Sequence, residues 1–274
     1  PKFTLLPLNA YRKNGWSHQV VLAPRGMLKT AAFKQKGWKK KVFLFFAKLN
    51  KLYANIVWHA TSEIELNEIK KHFPQATIRI APNISNASIS SHKKETGSPF
   101  RLLTVGRISP EKGYYEAIEA LRKWNPKQIV QWDIIGLKEN QELVRNILNA
   151  ELEFATVKIQ MHGHKNQDEL KSFYEKAHLF FLPSRGENYG HAIAEALSYG
   201  IPIVISDTTP WKNLEEQFAG KSTSLNPWKL AESLDFFVNL SKEDYQTWSE
   251  GALKYASEHV NSPETLALNK ELFK

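Results

Sequence analysis

The stretch 181-FLPSRGENYGHAIAEALSYGIPIVISDTTPW-211 changes its pattern of apolar residues twice. It opens on the end of an apolar strand and passes through a polar loop holding Gly186 and Gly190. It then adopts a helical spacing over His191–Tyr199 and closes on a second apolar run, Ile201–Ile205. Strand, loop, helix and strand in that order make a βαβ unit, which is built around a parallel sheet. Two carboxylates lie inside it: Glu187 at the end of the loop and Glu195 within the helix. Taken as wholly helical, that separation is about 12 Å, too far for one acid/base dyad. The two can instead hold opposite ends of one long ligand.

The same alternation extends outward. Upstream, strands are expected at Arg101–Gly106, Val130–Gly136, Val157–His162 and Leu179–Leu182, with helices at Tyr114–Trp124, Glu139–Leu152 and Asp168–Lys176. Downstream, a short helix is expected at Trp211–Phe218, followed by helices near Pro227–Leu240, Lys242–His259 and Pro263–Phe273. This order implies an α/β fold with a doubly wound, Rossmann-like parallel sheet. The first hundred residues are sparser, with strands expected at Gln19–Ala23, Ile56–His59 and Thr77–Ala81 around a basic segment, Lys34–Lys51. Polar, Ser-rich residues 83–98 read as a linker. The expected domains are therefore 1–82 and 99–258, with 259–274 a C-terminal helix that can pack back on the first lobe.

Composition narrows the chemistry. The chain has 274 residues, 42% of them hydrophobic, and contains no cysteine, which excludes disulfides, zinc ribbons and thiol nucleophiles. No apolar run reaches the length of a membrane span. The chain starts at Pro1 without a signal peptide, and the expectation is a partial or processed piece of a cytoplasmic protein. A net charge of +9 suits a polyanionic partner or merely a soluble basic surface. No recognition motif or aromatic platform for nucleic acid accompanies it, so nucleic acid is not expected as a partner.

In open parallel sheets, ligands bind at the C-terminal strand ends against helix N-termini. Three loops qualify. In VGRISPEKG, Gly106 ends a strand, and Arg107 and Lys112 bring two cations to a helix mouth, as a diphosphate requires. The spacing is not that of a P-loop, and a solvated turn is the plainer alternative. In MHGHKNQDEL, Gly163 follows a strand, flanked by His162 and His164. No third ligand accompanies the two histidines, so no metal site is expected; contact with a planar base or an ordinary connection are the options. The third loop is the opening one, where Asn188, Tyr189 and Gly190 lead into a helix whose amides face an anion. An interior Glu195 on an apolar helix face needs a polar partner if it is buried.

At these residues the chain resembles the retaining GT-B glycosyltransferases of the group 1 kind. That family carries an E-x7-E pattern, matched here by Pro183-Ser184, Glu187, Tyr189-Gly190, Glu195-Ala196, Gly200, Pro202 and Val204. VGRISPEKG is similar to its phosphate loop and IAPNIS to the end of its N-terminal domain. PRGMLK and HATSEIE resemble the later part of that domain in bacterial polysaccharide and lipopolysaccharide enzymes. The likeness runs over about residues 20–258. It implies a GT-B fold and transfer of a sugar from a nucleotide-diphosphate sugar, UDP or GDP, to a glycan or lipid-linked acceptor. Anomeric configuration would be retained, with no cofactor and no metal.

The resemblance also implies roles for single residues. Arg107 and Lys112 would hold the diphosphate, and Asn188, Tyr189 and Gly190 would cap it through the backbone. Glu195 would bind the ribose, Glu187 would sit beside the transferred sugar, and the loop around His162–His164 would cradle the base. The departing phosphate would assist deprotonation of the acceptor on the same face. The family's glycine-rich start to the acceptor-side domain has no counterpart upstream of residue 19. A partial N-terminal domain is thus expected, and the alternative is a non-catalytic nucleotide-sugar-binding piece. The basic, apolar-centred segment 33–56 reads either as a core helix with a basic outer face or as a peripheral contact with the anionic inner face of the cytoplasmic membrane.

Overall fold

The structure is a computed structural model and describes residues 2–14, 19–28, 37–85, 87, 89–90 and 94–274. Its contacts divide the chain into two units, 1–84 with 263–274 and 85–262.

The first unit contains α1 (Lys2–Asn14), β1 (Val20–Leu22), α2 (Gly37–Leu49), β2 (Ile56–Ala60), α3 (Glu63–His72) and β3 (Thr77–Ile80). Its three strands are parallel in the order β1-β2-β3. Both neighbours hydrogen-bond to β2, which is buried along its whole length. Trp58 from that strand stacks on Phe73 at 4.8 Å between ring centroids. α1 and α3 fall where the apolar pattern assigns no element. α3 is started by Ser62, whose hydroxyl accepts from the Glu65 amide. In the described part of segment 33–56 the helix spans Gly37–Leu49 and residues 50–55 form turns; residues 33–36 lie outside the described residues. Lys51 and Asn55 adopt left-handed φ values of 46° and 58°, which an α-helix does not tolerate.

The second unit runs β4 (Phe100–Val105), a 3-10 turn (Pro110–Lys112), α4 (Tyr114–Lys123), β5 (Val130–Ile135) and α5 (Gln141–Glu151). It continues with β6 (Val157–Gly163), α6 (Gln167–Lys176), β7 (Leu179–Leu182), α7 (His191–Ser198), β8 (Ile203–Ser206) and β9 (Gly220–Thr223). α8 (Pro227–Val238) and α9 (Lys242–His259) complete it. The six strands are all parallel in the order β6-β5-β4-β7-β8-β9. The direction of winding reverses between β4 and β7, which places the crevice at their C-terminal ends.

Alternate residues of the strands feed opposite layers. Leu102, Trp132, Ile134, Leu179 and Phe181 pack with α4, α5 and α8 on one face. Leu103, Ile135, Phe180, Leu182 and Ile203 pack with α6, α7 and α9 on the other. Each fully buried Phe or Leu contributes about 1.5–3 kcal/mol, and burial on both faces explains why β7 reads as an unbroken apolar run. The final helix, α10 (Pro263–Glu271), belongs to the first unit, where Asn269 donates to the Pro82 carbonyl at 2.8 Å.

Two expectations fail. Trp211–Phe218 is not a helix, because Asn213 and Phe218 adopt φ values of 55° and 52°. The spacing of Trp211 and Leu214 correctly marks buried residues, but it does so outside any helix. β9, with sequence GKST, was not expected at all; it joins the sheet through backbone pairing with β8.

Ser85 and Ser90 are fastened within the second unit. Ser85 exchanges hydrogen bonds with the Asn261 side chain at 2.8 and 2.6 Å. The Ser90 amide donates to the Ser198 carbonyl at 2.8 Å.

Candidate active site

The loops after β4 and β7 meet at the reversal point. Gly113 makes this possible: at φ 73° it passes so close to Pro183 that a Cβ would lie 1.6 Å from the Pro183 carbonyl oxygen. The Arg185 amide then donates to the Glu111 carbonyl at 2.9 Å. Ser206, the last residue of β8, and Thr208, just after it, both donate to the Ser184 carbonyl, the latter at 2.9 Å. The β7 loop is thus held from both sides.

This contact brings Lys112 and Glu187 together. The Lys112 ammonium lies 2.6 Å from Glu187 Oε1, and both side chains are largely buried, 19% and 10% exposed. Arg107 does not join them. Its guanidinium pairs with Glu139 at 3.0 Å, with 58% of the arginine side chain exposed, so that bond is worth little on its own. Gly106 directly follows β4, its amide donating to the Ile135 carbonyl at 2.8 Å.

Helix starts differ systematically around the site. α3, α5, α6, α8 and α9 each begin at a Ser or Asn whose side chain accepts a first-turn amide. α4 and α7, which begin at the crevice, start instead at the left-handed glycines Gly113 and Gly190 without a side-chain cap. α7 also has no acidic residue in its first turn. Its positive end therefore faces the crevice without a side-chain counter-charge from its own first turn. Tyr189 precedes it, with its carbonyl accepting from the Trp211 indole at 2.6 Å. Burial pushes the Tyr189 hydroxyl up to about 12, so it stays a neutral phenol.

Glu195 lies on the first turn and a half of α7. Only the residues from His191 onward are helical, so the 12 Å separation computed for a continuous helix does not apply. The polar partner this carboxylate requires is the Tyr174 hydroxyl of α6, 2.6 Å away. Tyr174 is itself 2% exposed and stacks on Tyr199 at 5.2 Å.

The third loop is organised by Asp133 of β5. His162 Nε2 lies 2.7 Å from its Oδ1, and the imidazole packs on Phe173 with 4.6 Å between ring centroids. Gly163 turns at φ 69° with open space where a Cβ would stand, and His164 is exposed. Among the described residues no group of three or more His, Asp or Glu could hold a metal ion.

Tyr174, Asp133, Glu139, Ser206 and Thr208 were not singled out from sequence. Each reaches the site from another βα unit, and no local spacing marks such a partner.

Residues 86–254 match the family model for glycosyl transferases group 1. The chain belongs to that family. Among curated relatives, it is 30% identical to the putative colanic acid biosynthesis glycosyltransferase WcaL of Salmonella typhimurium, over 65% of this chain and 45% of that protein. It is 24% identical to the GDP-mannose:cellobiosyl-diphosphopolyprenol alpha-mannosyltransferase of Xanthomonas oryzae pv. oryzae, over 76% of this chain and 55% of that one. The chain thus spans about half the length of these group 1 relatives. Among solved structures, Anabaena HepE in complex with UDP-glucose superposes with a TM-score of 0.74 at 18% identity, covering 99% of this chain and 75% of that one. WaaG, a glycosyltransferase of lipopolysaccharide biosynthesis, gives 0.69 at 14% identity, over 96% and 79%. The fold is that of the GT-B glycosyltransferases.

Proposed function

We propose that this group 1 chain carries the donor-binding part of a retaining glycosyltransferase, taking a UDP- or GDP-sugar and delivering the sugar to a glycan or lipid-linked acceptor. One observation carries the reading. The Lys112–Glu187 pair sits at the sheet's reversal point, against the start of α7, which begins at Gly190 and has no acidic residue in its first turn.

Each side chain has work to do there. Lys112 and the α7 N-terminus meet the diphosphate, with Arg107 released from its weak surface pair to join them. The backbone of Asn188, Tyr189 and Gly190 lines the same anion. Glu195 accepts from the ribose hydroxyls, and the loop of His162, Gly163 and His164 borders the base. Glu187 exchanges Lys112 for the sugar. In the transfer step the acceptor oxygen bonds to the anomeric carbon as the bond to the diphosphate oxygen breaks. The acceptor proton passes to that departing oxygen on the same face. Lys112 stabilises the charge that develops there, so the step requires no metal.

A lipid-linked acceptor would bring the protein to a membrane surface, and α2 has a face suited to that. At 3.6 residues per turn, Trp38, Val42, Phe45, Phe46 and Leu49 form one stripe, and all five are exposed. Lys39 flanks it on one side and Lys41 and Lys48 on the other. Phe43, Leu44 and Ala47 face the core. Apolar residues flanked by cations fit a surface of anionic lipid, which supports a peripheral position at the inner face of the cytoplasmic membrane. Among the described residues, no helix is long and apolar enough to cross a membrane.

The test is thermal-shift screening of the chain against UDP-, GDP- and ADP-sugars. Stabilisation by one nucleotide class is the expected result. A flat response across the panel, with the chain folded, would contradict the reading.

A further inference from the structure

Glu195 lies on a largely apolar helix face, in a sequence of Ala, Ile and Leu, and its ligand-facing role depends on where its oxygens point. Two of its neighbours in the chain, Ala194 and Ala196, are fully buried and offer it nothing polar. Its side chain is held from α6: the Tyr174 hydroxyl donates to Oε2 at 2.6 Å.

Tyr174 is unusually well fixed. Its ring stacks on Tyr199 with only 12° between the planes. Its hydroxyl is held in the neutral, donating form by burial and by the negative charge of Glu195 itself. The backbone behind it is clamped as well. The Lys94 ammonium, 7% exposed, donates to the carbonyls of Tyr174, Glu175 and Ala177 at the end of α6, the last two at 2.6 and 3.2 Å. A cation on helix-terminal carbonyls is a favourable cap, and here it comes from the segment just before β4. The chain therefore commits a buried lysine, a stacked pair of tyrosines and one short hydrogen bond to a single carboxylate oxygen.

We infer that Tyr174 is a positioning residue: its hydroxyl occupies Oε2 of Glu195 and fixes the carboxylate so that the remaining acceptor capacity is presented to the ribose diol of the donor. Tyr174 acts through Glu195 and touches no substrate. With the hydroxyl absent, Glu195 can rotate, and a diol must then pay for ordering it on binding. A nucleotide lacking the diol gains nothing from that order, so its affinity does not depend on Tyr174.

The inference rests on the donor reading of the site, and the experiment separates the two. Affinities of UDP and GDP, and of their 2′-deoxy and 3′-deoxy counterparts, are measured by calorimetry on the full chain and on Tyr174→Phe, Glu195→Gln and the double variant. The ribose preference is the ratio of the two affinities for whichever base binds. Tyr174→Phe is expected to reduce that preference about three- to ten-fold, the worth of one ordinary hydrogen bond, while deoxynucleotide affinity stays at the wild-type level. In the Glu195→Gln background the same change is expected to add nothing. Full preference in Tyr174→Phe alongside a loss in Glu195→Gln overturns the positioning role alone. Preference retained in Glu195→Gln overturns the ribose role and the inference with it. Equal loss of ribo- and deoxynucleotide binding in Tyr174→Phe also counts against the proposal, since it would reduce Tyr174 to packing.

Discussion

Lys112 and Glu187 are separated by 75 positions in sequence, yet their side chains meet at 2.6 Å across the point where the sheet reverses its winding. Neither position is close to the other within any one βα unit; β4 and β7 are adjacent in the sheet, and their following loops touch. A cation and a carboxylate held together at low exposure neutralise one another. On the proposed donor reading, a diphosphate would displace the carboxylate from the lysine and free it for the sugar. The pair therefore keeps two oppositely charged groups ready without leaving either charge buried alone.

The approach of the two loops depends on Gly113. Its left-handed φ of 73° and the 1.6 Å from its virtual Cβ to the Pro183 oxygen leave no room for a side chain. Gly113→Ala is expected to destabilise the chain by about 2–5 kcal/mol, combining the left-handed penalty with overpacking against backbone. Urea unfolding reads this directly. An unchanged midpoint would show that the loops can part without cost.

Stability should depend on pH through His178. Burial, with help from Lys94 and Arg101, pushes its imidazole down from 6.5 to about 4. The Nδ1 atom accepts from the Arg101 amide at 2.9 Å, a bond only the unprotonated nitrogen can receive. Between about pH 6.5 and 4 the unfolded chain binds a proton that the folded chain refuses, so stability falls as pH drops through that window. The size is on the order of 3 kcal/mol. Urea midpoints from pH 7 to 4 should show a steeper fall in the wild type than in His178→Asn, whose side-chain oxygen can still accept from Arg101. Parallel curves would remove His178 from the account.

The exposed stripe of α2 makes a separate prediction. Phe45 and Phe46 are 64% and 54% exposed, and burying either ring in lipid would gain at least about 1.4 kcal/mol, or ten-fold in partitioning. Flotation with phosphatidylglycerol vesicles should be strong at low salt and weak at high salt, and roughly ten-fold weaker in Phe45→Ser. Equal flotation with neutral vesicles, or none with either, would contradict the membrane assignment.

The fold was legible where residues are buried on both faces of the sheet. β7 and residues 203–205 of β8 read as continuous apolar runs because every residue in them is buried. β9 was not legible, since Lys221, Ser222 and Thr223 carry no apolar signal and owe their place to backbone pairing. Trp211 and Leu214 repeat at helical spacing while lying outside any helix, so their spacing reported burial and not conformation. In the site, Lys112, Glu187 and Glu195 stood out by their place in loops and motifs. Their partners did not. Tyr174 looks like any helical tyrosine and Asp133 like a polar break in a strand, and only the packing of α6 and β5 reveals what they hold.

The most direct test of the central claim is a calorimetric comparison of a nucleoside diphosphate with its bare nucleoside, on the wild type, Lys112→Ala and Arg107→Ala. Both residues are assigned to phosphate and neither to base, and a charged hydrogen bond contributes about 1.5–3 kcal/mol. Lys112→Ala should therefore weaken the diphosphate roughly ten- to a hundred-fold and leave the nucleoside unchanged. Arg107→Ala should act in the same direction but less, because its side chain starts exposed and paired with Glu139. Equal losses for nucleoside and diphosphate, or no loss for either, would contradict a donor diphosphate at the Lys112–Glu187 pair.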